Sequence, residues 1–177
     1  MKKLTDKSIE DMVNIILPYP ATRVMQISDG EEKFADEIKL TQRLFSLIQE
    51  REYDFQLNLI NSDKVDVYKE QFINEGVSSS VRPLHPKQPR YGMQGKFYDY
   101  LYVTAQIEEA MQEEFVKKVY EVIKSGGLIL AFINKDIESY DRWFNLLQDN
   151  SFVAINSIDI CEDFHVMSAR KMHGWGG

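Results

Sequence analysis

Residues 107–133 restrict the fold more than any other stretch of the chain. Ile107, Met111, Phe115, Val119 and Ile123 recur at helical spacing up to Lys124, Ser125-Gly126-Gly127 breaks the pattern, and Leu128 to Ile133 (LILAFI) follow as an uninterrupted apolar run. A run that short, with no polar alternation and a glycine turn before it, reads as a strand buried on both faces. Strands of that kind need helices above and below them, which places the chain among alternating α/β folds with a mostly parallel sheet.

The remaining segments follow the same grammar. Residues 8–17 carry Ile9, Met12, Val13, Ile16 and Leu17 at helical spacing and stop at Pro18 and Pro20, which cannot continue a helix. Residues 22–28 (TRVMQIS) read as a strand, and Asp29-Gly30-Glu31-Glu32 after it suits a helix start, with Asp29 as N-cap and Glu32 completing a capping box. That helix runs to about Glu50 through Phe34, Ile38, Phe45 and Ile48. A second unit comprises a strand at 54–61 (DFQLNLIN), a cap at Ser62 or Asp63, and a helix at 65–74 that stops before Gly76. A third strand at 80–84 leads into Pro83, Pro86, Pro89, Gly92 and Gly95, a composition that excludes a crossover helix and predicts a loop. Residues 96–104 read as a strand and 137–148 as a helix. Strands at 152–160 and 164–172, joined only through Cys161-Glu162-Asp163, form an antiparallel hairpin. The expectation is one domain over 1–177: an N-terminal helix within 1–20, alternating units over 21–150, a hairpin over 151–172 and a tail at 173–177. Its architecture is a three-layer α/β sandwich with a seven-stranded, mostly parallel sheet and one antiparallel strand.

Charge and cysteine content remove several functions. With 28 acidic residues against 21 Lys plus Arg in 177 residues, the formal net charge is -7, which argues against a nucleic-acid partner that needs a basic face. The single cysteine, Cys161, permits neither an internal disulfide nor a cysteine-based zinc site, and beside Glu162 and Asp163 it reads as an inert turn residue. His85, His165 and His173 are too scattered for a metal site, so no metal is expected. Two lysines near the N-terminus have no apolar run behind them, and no stretch approaches the length of a membrane span. A cytoplasmic protein with no membrane partner is expected. In the tail, Trp175 stands between glycines.

Ligands in parallel sheets bind beyond the carboxyl ends of the strands, where the strand order reverses. In this chain that prescription selects residues 28–32, 61–63, 84–94 and 104–106. The segment 76–98 is the chemically distinctive part of that edge: it contains Arg82, Lys87, Arg90 and Lys96, with no acidic residue, interleaved with His85, Tyr91, Phe97 and Tyr98. Lys87 and Arg90 suit pairing with an anionic small-molecule ligand, with Tyr91 stacking on it.

The order of elements, the stretch FVKKVYEVIKSGGLILAF (115–132) and the strand start Phe97-Tyr98-Asp99-Tyr100-Leu101 resemble the class I S-adenosylmethionine-dependent methyltransferases, a Rossmann-like family, over essentially the whole chain. The resemblance implies S-adenosylmethionine as the cofactor. The family's glycine-rich turn corresponds to Ser28-Asp29-Gly30-Glu31-Glu32, where Gly30 is kept and Ser28 and Glu32 stand in the other two glycine places. The ribose-binding acid at the end of the second strand corresponds to Ile60 or Asn61, with Ser62 and Asp63 adjacent. The adenine contacts after the third strand correspond to Leu84 and His85. Thr104-Ala105-Gln106 stands where amino-methylating members carry a proline-rich acceptor motif. The implied cofactor contacts are thus Ser28, Asp29, Gly30, Asn61, Ser62, Leu84, His85 and Thr104, within a degenerate motif. Two functions are compatible with that pattern. One is a divergent scaffold that has lost or weakened its cofactor site and serves as a ligand-binding or interaction module; the other is an active methyltransferase for a small, anionic acceptor.

Overall fold

The computed structural model describes residues 4–30, 37–72, 79–92 and 95–174. Along the chain it contains α1 (Asp6–Val13), β1 (Arg23–Ser28), α2 (Glu37–Arg51), β2 (Asp54–Leu59), a 3-10 turn (Ser62–Lys64), α3 (Val65–Phe72) and β3 (Ser79–Pro83). Then follow β4 (Tyr98–Val103), α4 (Glu109–Val122), β5 (Ile123–Asn134), α5 (Ile137–Asp149), β6 (Phe152–Ile158) and β7 (Phe164–Lys171). The expectations for Glu31, Glu32, Gly76 and Trp175 concern positions outside the described residues.

The strands form one seven-stranded sheet in the order β3-β2-β1-β4-β5-β7-β6. Neighbours from β3 to β5 are parallel. β7 runs antiparallel to both β5 and β6, so it alone is reversed, as the short hairpin requires. Side chains alternate across the sheet with period two and feed two cores. On one face Val24, Leu57, Tyr102 and Leu130 pack beneath Met12 of α1 and Leu40, Leu44 and Ile48 of α2. On the other, Met25, Ile27, Leu101, Val103 and Ile129 meet Phe115 and Val119 of α4 and Trp143 and Leu147 of α5. The buried Tyr102 hydroxyl donates to the Met12 carbonyl at 2.7 Å, so the one polar atom of that large side chain is satisfied inside the core.

At the amino ends of the strands Asp99 acts as a clamp. Its carboxylate accepts from the Arg23 backbone N–H at 2.8 Å and from Lys124 Nζ at 3.1 Å, tying β1 and β5 to β4 between them. Arg23 also pairs with Asp54 of β2 at 3.2 Å and lies over the Phe97 ring.

Three local expectations are corrected. Thr5 caps α1, its Oγ1 accepting from Ser8 N–H at 3.0 Å, so the helix starts two residues earlier than its apolar pattern and ends at Val13, before the prolines. The cap of the 3-10 turn is Asn61, whose side chain accepts from Asp63 N–H, rather than Ser62 or Asp63. The Gly-Gly turn lies within β5, where the pairing with β4 slips between Tyr98 and Tyr100. Gly126 has φ +76 there, a left-handed conformation that suits glycine. A Cβ on Gly127 would sit 2.5 Å from Ile123 Cγ2 and 2.9 Å from the Lys124 carbonyl oxygen. Gly127→Ala is therefore expected to destabilise the protein by about 1–3 kcal/mol in urea unfolding. Gly95→Ala, whose Cβ would meet the Glu121 carbonyl at an ordinary 3.4 Å and nothing nearer among the described residues, is expected to stay within about 0.5 kcal/mol.

Candidate functional site

The strand order reverses between β1 and β4, and the loops leaving their carboxyl ends diverge there. The divergence opens a cleft of about 370 Å³ lined by Asp29, Ile60, Asn61, Pro86, Gln106, Ile107, Glu108 and Met111. Its volume falls in the range of small-molecule pockets.

The turn after β1 is held from within. Ser28 Oγ accepts from Gly30 N–H at 3.0 Å, and the backbone carbonyls of Ser28 and Asp29 accept from the N–H groups of Ile60 and Asn61, at 2.9 and 3.2 Å. Asp29 is buried, and its Oδ2 accepts from Gln106 N–H at 3.0 Å, bridging the ends of β1 and β4 across the reversal point. Gly30 has φ +69, and a Cβ there would lie 3.3 Å from Lys64 Cβ and 3.6 Å from Leu59 Cδ2. Glycine is needed at this position so that the turn after β1 can pass the turn after β2. Asn61 Oδ1 is engaged by Asp63 N–H at 3.2 Å.

Of the residues expected to meet a cofactor, Asp29 and Asn61 line the cleft, with Ser28 and Gly30 in the turn behind them. Ser62 is exposed on the 3-10 turn, outside the lining. Leu84 is buried in the α4-side core, and Thr104 is fully buried, accepting from Gln26 Nε2 and donating to the Ile27 carbonyl, both at 3.2 Å. Neither is among the residues that line the cleft. His85 is exposed, its Nδ1 accepting from Lys87 N–H at 3.2 Å.

The expected substrate residues separate. Lys87 is exposed, and Arg90 lines a different groove, beside β3. Tyr91 is corrected outright. Its ring is 3% exposed and packs 5.5 Å from Phe115, and its hydroxyl donates to the Pro86 carbonyl at 2.6 Å, so it cannot stack on a ligand. Burial pushes its hydroxyl pKa far up, with Glu114 adding to the effect. Lys118 of α4 also donates to the Pro86 carbonyl, at 3.0 Å, and together these bonds strap the loop onto α4. The sequence reading named Ile60 as an alternative to Asn61 and placed Pro86 within 84–94, but it did not single out Ile107, Glu108 and Met111 as lining. Their signal was positional: all three lie between the end of β4 and the first turn of α4.

Among the described residues no three His, Cys, Asp or Glu side chains gather as a metal site, and no helix is long and apolar enough to cross a membrane.

No family model matches the chain, and no curated protein matches its sequence. Solved structures do match. The CurJ carbon methyltransferase superposes with a TM-score of 0.70 at 11% identity, over 93% of this chain and 52% of that one. A TehB-like S-adenosylmethionine-dependent methyltransferase from Corynebacterium glutamicum superposes at 0.68, with 7% identity, over 94% and 89%. The chain has the class I methyltransferase fold. A third example with this fold is the Burkholderia thailandensis 1,6-didemethyltoxoflavin-N1-methyltransferase, solved with 1,6-didemethyltoxoflavin and S-adenosylhomocysteine, at TM-score 0.64 and 11% identity over 95% and 80%. The chain spans about half the length of the CurJ enzyme.

Cys161 does not line the cleft; it is buried in the turn between β6 and β7, where burial pushes its thiol up to about 11 and Ser8 and Lys135 oppose that rise. Near pH 8 the folded thiol stays protonated and reacts slowly. A disulfide reagent at that pH is expected to label the native protein roughly 100-fold more slowly than the urea-unfolded chain. Equal rates would show the site to be open.

Proposed function

We propose that this protein is a divergent methyltransferase-fold ligand-binding module whose cleft takes an adenosyl ligand weakly, below the affinity that turnover with S-adenosylmethionine requires. The observation that carries the reading is the end of β2. A ribose presents two neighbouring hydroxyl donors, which a carboxylate accepts best. Asn61 occupies that position, half-buried, with its side-chain oxygen already accepting from Asp63 N–H. Asp29 is partly engaged in the same way, its Oδ2 accepting from Gln106 N–H. The described cleft residues thus fit an adenosyl ligand poorly, and no transfer step is assigned to them.

A second reading is favoured by one observation, that the cleft at the reversal point is open rather than filled. In that reading the protein methylates a small acceptor, and exposed Lys87 on the loop above the sheet favours an anionic one.

S-adenosylhomocysteine, the ligand in the Burkholderia thailandensis methyltransferase structure, is the appropriate probe. Asn61→Asp keeps an oxygen to cap the 3-10 turn and adds the missing carboxylate. It is expected to tighten S-adenosylhomocysteine binding about 10-fold or more over the native chain, the scale of one added charged hydrogen bond, read by ligand-induced thermal shift. Equal affinity of the two chains would remove the end of β2 as the cause of weak binding.

A further inference from the structure

β2 is apolar on one face and polar on the other. Phe55, Leu57 and Leu59 sit in the core beneath α2 and α3, whereas Gln56 and Asn58 project to the opposite side, level with Ser80 and Arg82 of β3. On that side α4 and α5 cover β1, β4 and β5, but no helix lies between β3 and β4 among the described residues. The strap 84–92 arches over the gap instead. Between strap and sheet lies a groove of about 650 Å³, the larger neighbour of the cleft, lined by Gln56, Asn58, Ser80, Arg82, Arg90 and Tyr91 with Lys69 and Gln88 among the rest. Among the described residues three cations and no carboxylate line it, in a chain whose formal net charge is -7.

Its floor has a defined polarity. The Tyr98 hydroxyl, pushed up to about 12 by burial, stays protonated and donates a hydrogen bond to Gln56 Oε1 at 2.7 Å. Gln56 Nε2 in turn donates to Asn58 Oδ1 at 2.9 Å. The relay ends on Asn58 Nδ2, which is buried and has no hydrogen-bond partner among the described residues, with Asn58 2% exposed. A buried amide donor left unmade costs about 1–3 kcal/mol, a cost that an acceptor atom brought by a ligand would remove. The strap positions Arg90 over the same floor: Gln88 bonds the Arg90 carbonyl through Nε2 and the His85 N–H through Oε1, and Tyr91 anchors the strap on α4.

We infer that this groove is a second ligand site, separate from the cleft at the strand ends, and that it binds a small organic anion whose phosphate or carboxylate oxygens accept from Asn58 Nδ2 and pair with Arg90 and Arg82. The arginine forks give such oxygens paired, directional donors, and the relay from Tyr98 fixes which end of Asn58 faces them. Phosphate and carboxylate share this chemistry, and the arms of the test separate them.

The test is to titrate inorganic phosphate and, separately, citrate into the nitrogen-15-labelled full chain while following the Asn58 side-chain amide by NMR. A saturable shift of that amide is expected with one or both anions; response to phosphate alone assigns a phosphate ligand, and response to citrate alone a carboxylate ligand. Arg90→Ala, at an exposed residue whose loss leaves the core intact, is expected to weaken the response about 10-fold or more. An Asn58 amide that does not move below about 10 mM of either anion would overturn the assignment, because water alone then satisfies the donor. So would a shift that Arg90→Ala leaves unchanged. S-adenosylhomocysteine added to the same sample reports on the Gln106 amide at the cleft, so failure of the cleft reading and failure of the groove are read from different signals.

Discussion

A parallel sheet keeps its strands only where both faces are shielded from water, and β2 shows what happens where the shielding is incomplete. Beneath α2 and α3 its side chains are Phe55, Leu57 and Leu59. On the side where the β3–β4 connection is a strap rather than a helix they are Gln56 and Asn58. The groove is the consequence of that substitution. Covering it with a helix would require apolar side chains at both positions; leaving it open allows the Tyr98–Gln56–Asn58 relay and Arg82 and Arg90 to face one space.

The same economy governs the cleft. Its walls are made by the loops that leave β1, β2 and β4, and the hydrogen bonds that could receive a ligand hold those loops together. Asp29 fastens the end of β1 to Gln106 beyond β4, Ser28 closes the turn on Gly30, and Asn61 caps the 3-10 turn. Each of these bonds stabilises the strand ends; on the proposed reading each also takes up part of a group that an incoming ribose or amino-acid moiety would use. Scaffold rigidity and cofactor affinity therefore draw on the same few atoms.

Much of the fold is readable from the residues. The apolar run 128–133, the helix leading into it and the short link at Cys161 dictate a covered parallel sheet ending in a reversed strand, and the strand order obeys that reading. The edges are less legible. The start of α1 depends on the Thr5 hydroxyl reaching Ser8, and the cap at Asn61 on a choice among three adjacent polar residues that only the path of the chain decides. Tyr91 misleads because an aromatic between cations looks the same whether it stacks on a ligand or on Phe115. The groove was foreshadowed by the polar alternation Gln56, Asn58 and Ser80, Arg82 beside a stretch too rich in proline for a helix. Its meaning depended on β2 and β3 being paired in register, which is a tertiary fact.

On the proposed reading the class I methyltransferase fold is kept while the polar groups of its cleft serve the scaffold. Isothermal calorimetry of the native chain with S-adenosylmethionine and S-adenosylhomocysteine tests that reading most directly. Dissociation constants of about 1 mM or weaker are expected; saturable binding near about 1 µM would contradict the account and restore the cleft as a working cofactor site.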